Sequence, residues 1–267
     1  YYKWFILAAR FRQCKICLIV HDVEFLRYHS NEKQAEIEML NMADRVIVHT
    51  EAMKLALKQM GVKADMTVLN LFDYCTDSRL PNKLEFSKTV AFAGNLEKSP
   101  FLKKLIAKEH NILYRLYGKN NPFDLDDKSN VEYCGGFLPE QVDSLQASWG
   151  LVWDGDSLET CAGITGDYLR YNSPHKLSQY IAAGIPVIVW EDSAVAKFVI
   201  SYNLGICVKN LNLLDKILNS IQQEQYDQIV ASVQTMSCRL RNGSMLKEAI
   251  KKDLGIKLID NHNDLNC

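Results

Sequence analysis

Trp149-Gly150-Leu151-Val152-Trp153-Asp154-Gly155-Asp156, then Tyr171-Asn172-Ser173-Pro174-His175-Lys176, then Ala182-Ala183-Gly184-Ile185-Pro186-Val187-Ile188-Val189-Trp190 read in turn as strand, loop, helix and strand. Ser173 is the expected N-cap, because its hydroxyl can accept from the orphan amides of the first turn. Pro174 then occupies the first helical position, where a missing N–H costs nothing. The helix runs through Leu177, Tyr180 and Ile181 to Ala183, and Gly184 closes it ahead of Pro186. Val187 to Trp190 is a short, wholly apolar run, the pattern of a strand buried on both faces of a parallel sheet.

Lys176 does not suit that helix unless something binds there. The first turn carries about half a positive charge, so an unpaired lysine is disfavoured by about 0.3–1 kcal/mol. His175 beside it is a second potential cation. An anion held by the free amides, the dipole and the ammonium together removes the conflict, and a diphosphate is the natural candidate. The alternative is a solvated lysine reaching sideways to a surface carboxylate of its own chain. The two readings differ in where the ammonium points.

Around this segment, composition sets the class. Of the residues 48% are hydrophobic and 24% charged, enough for the cores of one or two globular domains. The formal charge of −1 argues against a general nucleic-acid or membrane-surface binder. No apolar run reaches the roughly 20 residues that span a bilayer, and no stretch reads as a signal peptide. Cysteines stand at 14, 17, 75, 134, 161, 207, 238 and 267, several inside apolar runs where a thiol packs as a small hydrophobe. Cys14-Lys15-Ile16-Cys17 has metal or redox spacing, but it leads into a strand and has no partner pair or nearby histidine. A reducing cytoplasm is the expected compartment, with at most peripheral association at the inner face of the cell membrane.

Before the deciding segment the chain alternates α and β. Residues 1–12 read as a helix with Trp4, Phe5, Ala8 and Phe11 on one face; 16–20, 46–49 and 68–71 read as strands, and 31–42 and 51–60 as helices. Residues 73–87, polar and holding Pro81 and Asn82, are the linker candidate. A second series follows: strands at 89–93, 112–117, 131–134, 150–153, 187–190 and 205–208. Helices are expected at 101–109, 139–146, 194–201 and 211–222, then 226–240 and 243–254, with a polar last dozen residues. Alternating order implies parallel sheets with right-handed crossovers. The expected organisation is a Rossmann-like domain over 1–80, a second over 88–225, and terminal helices over 226–267 that return to the first. Entry into a thin first sheet through a helix points to absent earlier strands.

In doubly wound sheets ligands bind beyond the carboxyl ends of the strands. In the second half those ends carry Gly94-Asn95-Leu96-Glu97-Lys98, Gly118, Gly135-Gly136-Phe137-Leu138-Pro139, Asp154-Gly155-Asp156 and Tyr171 to Lys176. Each alone has an ordinary structural explanation. Their convergence on one rim, with two lysines, small backbone loops and an aromatic plate, points to a nucleoside diphosphate carrying a sugar.

Phe92-Ala93-Gly94-Asn95-Leu96-Glu97-Lys98, Gly136-Phe137-Leu138-Pro139-Glu140, Tyr171 to Lys176 and Ala182 to Ile188 resemble a bacterial family of GT-B glycosyltransferases. That family includes β-1,6-galactofuranosyltransferases of polysaccharide assembly and a glucosyltransferase that extends glycans on serine-rich adhesins. His21-Asp22-Val23-Glu24 and Leu40-Asn41-Met42-Ala43-Asp44 are similar to its N-terminal domain, and the 171–176 wording is nearer the galactofuranosyl branch. The resemblance implies two Rossmann-like domains facing across a cleft, the first incomplete here. It also implies a UDP-sugar donor, and no separate cofactor. Lys176 and Lys98 would sit on the diphosphate with Asn95 nearby, and Phe137 against the uracil. Gly118, Tyr171, Asn172 and Ser173 would line the same site. A lipid- or protein-linked glycan would be the acceptor, and self-association is expected.

An inverting transfer needs a base for the acceptor hydroxyl and cations for the leaving diphosphate. Asp22, at a strand end facing the expected cleft, is the candidate base; His21 and Glu24 compete. Asp154-Gly155-Asp156 has the form by which single-domain GT-A transferases hold a divalent ion. Two α/β halves do not suit that plan, and no metal site is assigned. Two further classes remain open. An epimerase or dehydrogenase would need a G-x-G-x-x-G run after its first strand, which this sequence lacks. A non-catalytic subunit would bind UDP without transferring sugar.

Overall fold

The computed structural model describes residues 2–28, 31–78, 80, 86–108, 111–125 and 128–254; Pro81 and Asn82 of the expected linker, Tyr1, Glu109 and the polar last dozen residues lie outside them. The first part runs α1 (Tyr2–Phe11), β1 (Cys17–Ile19), α2 (Glu24–Tyr28), α3 (Lys33–Asn41), β2 (Arg45–Val48), α4 (Glu51–Gln59) and β3 (Asp65–Val68). The second continues β4 (Thr89–Ala93), α5 (Phe101–Ile106), β5 (Leu113–Tyr117), β6 (Val131–Gly135), β7 (Trp149–Val152), α6 (Ile164–Asp167), α7 (His175–Ala182) and β8 (Val187–Trp190). It closes with α8 (Ala196–Ser201), β9 (Gly205–Val208), α9 (Leu214–Ser220), α10 (Gln223–Arg241) and α11 (Ser244–Leu254).

Two sheets result, and every pairing in both is parallel. The first has the order β1-β2-β3 and the second β6-β5-β4-β7-β8-β9. In the second sheet the chain starts in the middle, winds outward to β6, returns across β4 to β7, and winds outward the other way. The reversal between β4 and β7 is a topological switch point, where neighbouring crossovers leave in opposite directions and open a crevice.

The residues of the deciding segment explain why α7 lies over that crevice. Trp149, Leu151, Val152 and Trp153 are buried beside Val187, Ile188, Val189 and Trp190. A Cβ on Gly150 would stand 2.3 Å from the Tyr180 ring, so only glycine lets α7 lie this close on β7. The Tyr180 hydroxyl accepts the Ala93 amide at 2.7 Å, which fixes the end of β4 to the same helix. Tyr180→Phe leaves that buried amide unpaired; an expected loss of about 1–3 kcal/mol is read from the shift of the urea midpoint. Behind α7, α10 is tied down by Ser237 Oγ donating to the Ala182 carbonyl (3.0 Å) and by the Tyr226 hydroxyl donating to the Ser148 carbonyl (3.1 Å). Both oxygens of Asp73 accept first-turn amides of α11, from Met245 and Leu246, so this carboxylate caps the helix.

The third strand lies at Asp65–Val68 rather than 68–71, and two further local expectations are corrected. On α1 the side that packs is Ile6 and Ala9, while Trp4, Phe5 and Phe11 are 76%, 75% and 89% exposed. Apolar residues surround this short helix, so periodicity alone did not identify the packing stripe. Residues 139–146 form only a single 3-10 turn, Val142–Ser144, rather than a helix opened by Pro139. The Gln141 amide turns back onto the Leu138 carbonyl, which uses up the first turn as a loop.

Candidate active site

The carboxyl ends of both sheets face one cleft of about 290 Å³. From the second sheet, Gly94, Asn95 and Lys98 follow β4, Asp154 follows β7, and Asn172 to Lys176 lead into α7; this is the switch point. From the first sheet, His21 and Asp22 follow β1, Arg27 comes from α2, and His49 follows β2.

The structure therefore brings Asp22, Asn95, Lys98, Asn172, Ser173 and Lys176 to one cavity. Gly118, Phe137 and Tyr171 are not among its lining residues. Gly118 supports the wall from behind: a Cβ there would meet the Gly94 carbonyl oxygen at 2.2 Å, so the two loops touch through glycine backbone. Phe137 is half-buried edge-on against Tyr117 with centroids 5.8 Å apart. Tyr171 packs on the core of the first sheet.

The start of α7 differs from expectation in one informative way. Pro174 is the N-cap, with φ −70° and ψ 142°, and the helix begins at His175. Ser173 is thus one residue too early to cap. Its hydroxyl is buried without a hydrogen-bond partner among the described residues, as is the Asn172 Oδ1. Leu177 donates to the Pro174 carbonyl, and no side chain caps the turn. Buried polar atoms are nearly always paired, so two orphans at one helix entrance mark a place that a polar ligand would complete.

Lys176 lies 16% exposed with its Nζ 3.5 Å from Asp154 Oδ2, 3.2 Å from the Trp153 carbonyl oxygen it donates to, and 4.7 Å from the Phe92 ring centre. The ammonium thus has a carboxylate of its own chain, as the alternative reading required. It has not turned from the cleft, however, and Asp154 lines the same cavity. Lys98 is exposed and has no ion-pair partner among the described residues; its amide donates to Asn95 Oδ1 at 3.1 Å, so Asn95 shapes the turn. A Cβ on Gly163 would meet Asp156 Oδ1 at 2.9 Å, so that carboxylate lies against the Gly163 backbone. Among the described residues no group of three or more His, Cys, Asp or Glu is placed to hold a metal ion.

Across the cleft, Arg27 Nη1 donates to Asp22 Oδ2 at 2.6 Å. His21 stacks on Phe72 (5.5 Å) and on His175 (5.9 Å), and the Phe72 and His175 rings are 4.6 Å apart. Burial, then the nearby His21, lowers the His175 pKa. His49 is 2% exposed, and burial lowers its pKa to about 4. Between pH 4 and the ordinary histidine value near 6.5 the unfolded chain therefore binds a proton that folded His49 does not. Stability is expected to fall as pH drops through that window, and His49→Asn should remove part of the slope in urea midpoints taken at pH 7.5, 6 and 5.

Arg27, His49, Thr50, Phe72 and Tyr168 were missed from the sequence. His49 and Thr50 had a usable signal, since they stand at the carboxyl end of β2. Tyr168 had none, because its hydroxyl meets the Val23 amide from 145 positions away.

Comparison with known proteins follows the same division. The chain matches the model described as glucosyltransferase 3-like, N-terminal domain, over residues 1–71, and the one described as glucosyltransferase 3-like, C-terminal domain, over residues 90–253. It is 29% identical over 256 residues to the β-1,6-galactofuranosyltransferase WbbI of Escherichia coli (strain K12), covering 93% of this chain and 74% of that one. It is 29% identical over 251 residues to glucosyltransferase 3 of Streptococcus gordonii, covering 92% and 72%. Among solved structures, Anabaena Alr3699/HepE in complex with UDP superposes with a TM-score of 0.68 at 14% identity, covering 94% of this chain and 75% of that one. WaaG, a glycosyltransferase of lipopolysaccharide biosynthesis, superposes with a TM-score of 0.56 at 15% identity, covering 96% and 82%. With these matches over most of its length, the chain belongs to the glucosyltransferase 3-like family, and its two facing parallel sheets are the GT-B fold of glycosyltransferases.

Proposed function

We propose that this enzyme transfers a hexose from a UDP-sugar to a glycan acceptor, with galactofuranose the favoured sugar and glucose the next. The observation that carries the reading is the entrance of α7 at the switch point. Two lysines, an uncapped helix turn and the orphaned Ser173 hydroxyl converge there on one cavity. Such a set answers a diphosphate: amides and ammonium groups bind its oxygens and a serine hydroxyl donates to one of them. As charge develops on the leaving UDP, the same groups stabilise it without a metal ion. Asn172 Oδ1, an acceptor, suits a hydroxyl of the ribose or the sugar. Asp22 is assigned as the base that takes the acceptor proton, in an inverting displacement. Of the remaining donor-site residues, Phe137 is assigned to the uracil, Gly118 braces the Gly94 loop, and Tyr171 flanks the phosphate and sugar side from the first-sheet face.

The domain division belongs to the same proposal: an acceptor half to residue 80, a donor half over 88–225, and helices beyond 226 bracing both. The separate sheets support it, as do the Asp73 cap on α11 and the seating of α10 on α7.

The decisive experiment is a screen of the full-length protein with UDP-galactofuranose, UDP-galactopyranose and UDP-glucose, reading UDP release and glycosylated acceptor. UDP binding without transfer from any of them would favour the non-catalytic reading. Activity is expected to survive excess EDTA; its loss, with recovery on adding Mg²⁺, would reopen the Asp154 and Asp156 pair as ligands. Asp154→Asn gives a further test. The substitution frees Lys176 and removes a like charge beside the diphosphate. UDP is expected to bind about three- to tenfold tighter by calorimetry, or ~1 kcal/mol for a partly exposed pair.

A further inference from the structure

His49 belongs to neither sheet, yet it is among the most buried polar side chains of the molecule. Its Nδ1 receives the Ser173 amide at 3.1 Å, and its Nε2 lies 3.1 Å from the Val20 carbonyl oxygen. An amide can only donate and a carbonyl can only accept. Nδ1 must therefore be bare and Nε2 must carry the hydrogen, so the two contacts select one neutral tautomer. Those partners stand on opposite sides of the cleft. Val20 immediately precedes His21-Asp22, and Ser173 immediately precedes Pro174 and the first turn of α7.

Neighbouring bonds cross the same seam. The Thr50 hydroxyl, which caps α4 by accepting the Met53 amide, also donates to the Tyr171 carbonyl at 2.5 Å. The Tyr168 hydroxyl accepts the Val23 amide at 3.0 Å. Phe72 closes the space, edge-on to His49 at 4.8 Å, stacked on His21 and tilted against His175 at 4.6 Å. The charged and titratable groups that act on the ring are Asp22 and His175, with the backbone of Val20 and of His21 beside it. Remaining bare at Nδ1 across physiological pH is what an acceptor of a backbone amide requires.

We infer that His49 is a positioning residue of the transfer reaction, its neutral ring setting the separation between the His21-Asp22 strand end and the 171–176 donor segment. The inference rests on the donor-site reading above. A ring bonded at both ends transmits a displacement of either side to the other, and misplacement of the reacting groups by about 1 Å can cost 100-fold in rate.

The test uses the full-length protein and three substitutions. His49→Asn places an amide oxygen near the Nδ1 position and keeps the acceptor for Ser173. His49→Gln places a donor near the Nε2 position and keeps the bond to Val20. His49→Phe keeps only ring volume. Amide exchange of the 168–176 peptides, UDP affinity by calorimetry, and kcat and KM with the donor that wild type turns over are measured. Expected is a tenfold or greater rise in 168–176 exchange and a 30-fold or greater fall in kcat for Phe and Gln, with UDP affinity within threefold. Asn should restore protection and part of kcat. Phe matching wild type in exchange and kcat would overturn the inference, as would Asn behaving no better than Phe. Nitrogen-15 shifts of the wild-type ring give a check that needs no folded variant: Nδ1 bare and Nε2 protonated from pH 8 to 5 is expected, and the other tautomer or a charged ring would overturn it. Absence of UDP binding by wild type would sink the donor site, while the exchange contrast would still decide the bridging role of His49.

Discussion

Lys176→Ala is expected to weaken UDP binding about 10- to 100-fold and to lower kcat/KM about 100- to 1,000-fold. The first figure follows from losing a charge-assisted hydrogen bond, about 1.5–3 kcal/mol, at a site only partly open to water. The second is larger because the leaving diphosphate gains negative charge in the transition state, so the lost ammonium matters more there than in the ground state. The ion pair complicates the interpretation. Lys176 sits 3.5 Å from Asp154, and removing it leaves that carboxylate uncompensated beside the phosphate site. Part of the loss would then be new repulsion. The double variant with Asp154→Asn separates the two effects, because the repulsive part vanishes in it while the missing hydrogen bond does not. If the double variant regains most of the UDP affinity, the lysine acts mainly by neutralising Asp154. If Lys176→Ala alone binds UDP like wild type, the cavity at the head of α7 is not the donor site.

Much of this was written locally in the chain, and what was not has a physical reason. The parallel strands were legible because strands buried on both faces are short continuous apolar runs, as at Val187 to Trp190, and because turn residues punctuate them. The second-sheet side of the cleft was legible through a rule of topology: residues at the carboxyl ends of strands in one sheet share a rim. That rule brought Asn95, Lys98, Asn172, Ser173 and Lys176 to one cavity without any distance, and it also named Gly118, Phe137 and Tyr171, which do not line it. It did not reveal which atoms are satisfied. Ser173 has the chemistry of an N-cap, but Pro174 takes that place, so the hydroxyl is left for something else. Nor did it reveal contacts between the sheets. His49 touches Ser173 across 124 positions, and Asp22 meets Arg27 only because α2 turns immediately after β1. The aromatic face of α1 failed for a related reason: a helix with apolar residues all round has no preferred stripe until a neighbour selects one.

Asp22→Asn is expected to lower kcat about 100- to 10,000-fold while leaving UDP affinity within a factor of two, the range for removing a general base that does not touch the donor. Asparagine keeps the shape of the side chain and an oxygen for the Arg27 guanidinium, now 2.6 Å from Asp22 Oδ2, so the strand end should hold its place. The loss would then report proton transfer rather than collapse of the cleft. Arg27 makes the assignment testable from a second side. By holding one carboxylate oxygen it fixes the direction in which Asp22 meets an acceptor hydroxyl. Arg27→Met should accordingly raise KM for the acceptor and lower kcat by a smaller factor than Asp22→Asn. His21 is the rival, stacked on both Phe72 and His175 and lining the same cavity. His21→Asn should cost less than tenfold if the histidine only packs there. The two rate losses decide between them. With Asp22 as base, Asp22→Asn loses far more rate than His21→Asn. The reverse pattern would move the proton to the imidazole and leave Asp22 as the anchor of Arg27.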